Sequence, residues 1–217
     1  MTTPIDLKEI ERKAFRSTYQ DGLWDMYYGL IIVAMSIFIY RPEQGYSPTN
    51  IILSVMAFIM AYSLLKAGKK YITLPRMGMV TFGAIRKKKG KTLAIILAVF
   101  IATQAVLVGI TAFGWFSSAV GQALSRILPE GGSELWLVAL IGSLIVGTSM
   151  IVIVHFSDFT RGYFIAILMG LAVFLMIYLN QPIYPIIIGT LIILPGLIIF
   201  LRFLKQYPLD KQELSDG

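Results

Sequence analysis

The chain has 217 residues, 57% hydrophobic and only 14% charged, with 19 basic residues against 12 acidic and a net charge of +7. A soluble domain carries about a quarter charged residues, so this composition excludes water as the sole solvent and points to lipid. The absence of cysteine excludes disulfides, thiolate metal sites, iron–sulfur clusters and cysteine nucleophiles together.

Residues 1–22 are polar and charged, without the short apolar core and small-residue cleavage site of a signal peptide. The first apolar span is therefore expected to remain as an anchor. Within residues 5–20, Ile5, Leu7, Ile10, Ala14 and Phe15 alternate with Lys, Glu and Arg, the pattern of a short amphipathic helix on the cytoplasmic surface.

A membrane-spanning helix needs about 20 apolar residues. Six segments qualify, at approximately 23–40, 50–66, 92–114, 134–155, 163–179 and 183–203. The expected fold is an all-α integral membrane protein, a six-helix bundle of three successive hairpins over residues 23–203, with a tail at 204–217. Orientation follows from the basic residues, which collect on the cytoplasmic side of membrane proteins. Lys8, Arg12, Lys13 and Arg16, nine basic residues between 66 and 92, Arg161, and Arg202, Lys205 and Lys211 all fall on one side, leaving only Arg41 and Arg126 opposite. Both termini are thereby assigned to the cytoplasm, in the cell membrane.

The cytoplasmic loop 66–92 carries no acid. Its stretches Tyr71 to Leu74 and Met79 to Ile85 are rich in β-branched and aromatic residues around the turn sequence Pro75-Arg76-Met77-Gly78, which suggests a small β-hairpin. Lys69, Lys70, Arg86, Lys87, Lys88, Lys89 and Lys91 suit the anionic inner leaflet, each residue near the surface contributing about 1 kcal/mol. Nucleic acid is not expected as a partner.

The outer loop 115–133 places Phe116, Ala119, Val120, Ala123, Leu124, Ile127 and Leu128 at helical spacing, with Ser117 or Ser118 to cap the start and Pro129, Gly131 and Gly132 to end it. An interfacial amphipathic helix is expected there, with Trp115 as its anchor.

Helices in lipid associate through small residues. Ala94, Ala98, Ala102, Ala105 and Gly109 mark the third span, Ala139, Ser143 and Gly147 the fourth, Ala166 and Gly170 the fifth. The third and fourth spans are the expected tight pair. Pro195-Gly196 inside the sixth span predicts a kink. The first and last hairpins share tyrosines six apart (Tyr40 and Tyr46, Tyr178 and Tyr184), as a parallel repeat would, although apolar helices with aromatic belts align in this way by chance.

Chemistry-bearing residues cluster at the cytoplasmic face. His155, Asp158 and Arg161 share a face if the chain stays helical, and Asp21 and Asp25 flank the start of the first span. Asp25, His155 and Asp158 are the candidate catalytic residues, as a metal site or an acid/base pair acting on a lipid headgroup. Interfacial ion pairing explains the same residues without chemistry. No second histidine supports a metal, and phosphate-loop, dinucleotide, zinc-protease and serine-hydrolase patterns are absent. No cofactor is expected. Thr103, Gln104, Ser143, Thr148, Ser149 and Thr190 are the main polar groups within the spans, and no carboxylate or histidine sits mid-membrane to couple transport. The sequence thus leads to a non-enzymatic accessory, scaffolding or regulatory membrane protein whose cytoplasmic face engages anionic lipid or a protein partner, with a homo-oligomer as the other form of partnership. A small-solute or lipid transporter or channel, and a lipid-modifying enzyme, are the alternatives.

Overall fold

The computed structural model describes residues 19–39, 48–77, 88, 90–99, 102 and 133–208, and every element among them is helical. The helices are α1 (Leu23–Met35), α2 (Pro48–Gly68), α3 (Gly90–Val99), α4 (Ser133–Phe156), α5 (Gly162–Leu179) and α6 (Ile183–Gln206). Four are long and apolar enough to cross a membrane, with bounds Thr49–Met77, Val138–Phe156, Gly162–Leu179 and Ile183–Gln206. The thirteen residues of α1 rise about 20 Å. The 3₁₀ turn Ser36–Ile39 continues the helix by about 8 Å, giving nearly the thickness of a hydrocarbon core.

Apolar side chains cover much of the outside. Ile52, Met56, Ile59 and Met60 on α2, Phe164 and Ile167 on α5, and Leu191 and Leu194 on α6 are all exposed. An apolar surface of this extent is stable against lipid, not water. Inside, Tyr28 and Ile32 of α1, Met150 and Val154 of α4, Ile165, Ala166, Met169 and Ala172 of α5, and Ile188 and Ile192 of α6 form one buried cluster.

Two helix pairs dominate the packing: α4 against α5, and α1 against α6. In the second, glycines seven residues apart on each helix meet in antiparallel register, Gly29 opposite Gly189 and Gly22 opposite Gly196. A Cβ placed on Gly29 would lie 2.5 Å from Ile193 and 2.8 Å from the Gly189 carbonyl oxygen, and one on Gly189 would lie 2.8 Å from the Gly29 carbonyl oxygen. Backbone touches backbone, a contact only glycine permits.

In the other pair, Gly147 and Ser143 of α4 face Gly170 and Ala166 of α5, and Ala139 and Ala166 are fully buried. The small residues of α4 thus pack on α5, while Ala94 and Ala98 of α3 are exposed, as is Ala102 beyond it. Ala105 and Gly109 of the expected α3–α4 pair lie outside the described residues. Pro195 lies inside a continuous α6 and is exposed, and Gly196 is pressed on Asp25 and Met26 of α1. Close packing against α1 accounts for Gly196.

The first arm of the expected β-hairpin is helical. After α2 the chain makes a π-helical turn, Lys69–Thr73, closed by the Leu74 N–H donating to the Lys69 carbonyl, and then a last turn, Leu74–Met77. The β-branched residues here obey a tertiary constraint rather than their propensity, because Lys69 and Thr73 are held by a buried carboxylate. The second arm, Met79 to Ile85, lies outside the described residues. So do the N-terminal segment before Tyr19, the outer interfacial helix as far as Gly132, the tail from Leu209, Thr103, Gln104 and the tyrosine pair of the first outer turn.

Candidate functional site

The polar residues of the described chain converge where the start of α1, the end of α2 and the α4–α5 loop meet, on the side assigned above to the cytoplasm. Asp21 is fully buried. Its Oδ2 accepts hydrogen bonds from Lys69 Nζ at 2.6 Å and Thr73 Oγ1 at 2.7 Å, and its Oδ1 accepts one from the Leu23 N–H at 3.2 Å. The last bond occupies one of the free N–H groups at the head of α1. Gly22 between them has φ 75°, the left-handed conformation that glycine adopts without strain.

Asp25 lies one turn deeper in α1 and is 4% exposed. Its Oδ2 stands 3.3 Å from Arg161 Nη2, an ion pair by distance, but the atom accepts no hydrogen bond. The guanidinium is turned instead toward the Tyr19 carbonyl, to which Nη2 donates at 2.5 Å. Arg161 thereby ties the α4–α5 loop to the strand of chain entering α1. An aromatic stack covers this junction. Tyr19 stacks on Trp24 at 5.5 Å and on Phe159 at 5.2 Å, and Arg161 lies 5.7 Å from the Phe159 ring centre.

The three residues singled out for catalysis part company here. α4 ends at Phe156, and Asp158 takes φ 52°, a left-handed conformation that aspartate tolerates better than most residues. The common helical face of His155, Asp158 and Arg161 therefore does not form. His155 is exposed, its Nδ1 3.4 Å from the Tyr163 hydroxyl. Asp25 faces Arg161, and Asp158 borders a cavity that Arg161 also lines. Among the described residues no group of three His, Cys, Asp or Glu side chains is placed to hold a metal ion.

The lysines also divide. Lys69 is drawn inward onto Asp21, with its side chain 25% exposed. Lys70, Lys88 and Lys91 are exposed, Lys70 lying 5.2 Å from the Tyr71 ring centre. Arg86, Lys87 and Lys89 lie outside the described residues. Within the helices Ser143, Ser149 and Thr190 each donate to a carbonyl of their own helix three or four residues back, at 2.9, 2.5 and 2.8 Å. Such bonds satisfy the donor of a hydroxyl in lipid within its own helix.

Sequence reasoning missed Tyr19, Thr73 and the role of Lys69. The available signals were the Asp21-Gly22 pair at a helix start and the four-residue spacing of Lys69 and Thr73. No known protein family, curated protein or solved structure matches the chain.

Proposed function

We propose that the chain is a six-span membrane protein with both termini in the cytoplasm, an accessory or scaffolding component that engages anionic lipid through its basic cytoplasmic face. One observation carries this: the acids of the polar junction face its own cations, Asp21 with Lys69 and Asp25 with Arg161, and both carboxylates are buried. A buried, paired carboxylate has no geometry for proton transfer to a headgroup. Its arrangement instead fastens three segments of chain to one another. Exposed cations, Lys66, Lys70, Lys88, Lys91, Arg202 and Lys205 among them, face an inner leaflet whose anionic lipids attract them. Six spans, counted from the apolar runs of the sequence, would put all these residues on one side.

The test is lipid retention. In nanodiscs of POPC with a minor fraction of POPG, native mass spectrometry of the wild type should show POPG enriched above its share of the bilayer. Changing Lys70, Arg86, Lys87, Lys88, Lys89 and Lys91 together to Gln should bring retention down to that share. Equal POPG retention by the variant would refute the assignment. Because the chain has no cysteine, Lys88→Cys also reads orientation, and labelling from outside intact cells would invert it.

A further inference from the structure

The two buried carboxylates of the junction are held differently. Asp21 accepts hydrogen bonds from Lys69, Thr73 and the Leu23 N–H, and each favours its charged form. Asp25 is almost as buried, yet its Oδ2 accepts none. That oxygen faces the Arg161 guanidinium at 3.3 Å, an attraction of charge without a hydrogen bond. Among the described residues, the other titratable groups acting on Asp25 are Asp21 before α1, Lys69 on the π-turn and Tyr28 one turn on. α6 meets it at Gly196, which has no side chain. Asp21 and Lys69 pair with each other, so Arg161 is the charge on which Asp25 depends.

The same guanidinium joins two parts of the bundle. Arg161 opens α5, and Gly162 beside it packs on Val154 and Phe159 with no room for a Cβ. The end of α4, the loop and the start of α5 thus form one tight corner. Arg161 fastens this corner to the chain entering α1 through the Tyr19 carbonyl and Asp25. α1 belongs in turn to the glycine-packed pair with α6. The ion pair therefore sits where the α4–α5 pair meets the α1–α6 pair, at the end of the bundle assigned to the cytoplasm. Protonation of Asp25 removes the charge facing Arg161. The guanidinium, with its side chain 40% exposed, then keeps a neutral carbonyl and turns to water.

We propose that Asp25 and Arg161 form a proton-operated latch between the two helix pairs, closed while Asp25 is charged and opened when it takes up a proton from the cytoplasmic side. The closing attraction is present above the pH at which Asp25 titrates and is lost as pH falls through it. The latch depends on the cytoplasmic placement proposed above but not on lipid binding.

The experiment is a spin-label distance measurement by double electron–electron resonance on the full chain in nanodiscs of POPC with a minor POPG fraction. His155→Cys on α4 and Lys205→Cys on α6 lie at exposed positions, and the chain supplies no other cysteine. Replacing His155, the sole histidine, also removes the side chain that ordinarily titrates near neutrality. From about pH 8 to about pH 4, through the carboxylate range, the population at a longer distance should rise by roughly tenfold, the scale of one charge-assisted contact. Asp25→Asn, which fixes the neutral form, should show that longer distance at both pH values. A reference pair, Leu74→Cys on the turn after α2 with Lys205→Cys, lies away from the latch at exposed positions and should not move. A distribution unchanged by pH in the parent, a pH response undiminished in Asp25→Asn, or an equal shift in the reference pair overturns the latch. POPG retention is read separately, so its loss would strike the lipid assignment and leave the latch standing.

Discussion

Helix α1 is held by two neighbours in two different ways. Against α6 it is fixed by steric fit, with Gly29 on Gly189 and Gly22 on Gly196 so close that no side chain fits between. Against α2 it is fixed by polar contacts at both ends, the Asp21 bonds to Lys69 and Thr73 at one and the Ser54 hydroxyl donating to the Ala34 carbonyl at 2.9 Å at the other. In lipid neither contact is driven by the hydrophobic effect. Backbone proximity gains dispersion along the whole length of the pair, whereas polar bonds fix register at particular points. α2 accordingly keeps most of its apolar surface outward, with 17% of its span buried against 28% for α6.

The largest expected effect comes from breaking the steric side. Gly29→Leu drives a side chain into the Gly189 backbone, which flexible side-chain motion cannot relieve. Overpacking costs about 3 kcal/mol or more, so folded yield in mild detergent should collapse, and a wild-type melting temperature would show that the helices can part without penalty. Next in size is Asp21→Ala, which leaves Lys69, Thr73 and the Leu23 N–H without their acceptor. Losing one partner of a buried pair costs about 3 kcal/mol. The double change Asp21→Leu with Lys69→Met should recover a substantial part of that loss, and a strictly additive double mutant in SDS-unfolding titrations would argue against the pairing.

A smaller loss is expected from Ser54→Ala. A single interhelical hydrogen bond in membrane proteins is worth about 0.6 kcal/mol, so a shift as large as that of Asp21→Ala would mean that α2 hangs chiefly from its other end. The smallest effect should be Gly147→Ala on the α4–α5 pair. There a Cβ meets only ordinary contacts, 3.8 Å from the Ala166 carbonyl and from the Gly170 Cα. Near-neutrality at Gly147 beside a loss at Gly29→Ala would separate α1–α6, which requires glycine, from α4–α5, which requires only smallness.

Helix content was legible because the apolar runs are long and the charges sit at their ends, as lipid demands of any sequence that crosses it. The stripe Ala139, Ser143 and Gly147 was legible too, since a four-residue spacing puts small residues on one face of any helix. Which helix meets that stripe was not, because small faces on α3 and α5 look equivalent until the whole bundle is assembled. The glycines at 22, 29, 189 and 196 carried a readable seven-residue spacing, but their match in antiparallel register exists only between two helices some 160 residues apart in the chain.

The polar site divides in the same manner. Sequence alone put Asp21, Asp25, Asp158 and Arg161 at the ends of apolar runs, because burying a charge mid-bilayer is too costly. Only the tertiary structure decided which acid meets which cation. Breaking α4 at Phe156 turned Arg161 away from His155 and toward Tyr19 and Asp25, and carrying α2 onward through a π-turn brought Lys69 and Thr73 to Asp21. Ion pairs act over a few ångströms, and distances of that size are set by how helices end and pack, which periodicity along a chain does not encode.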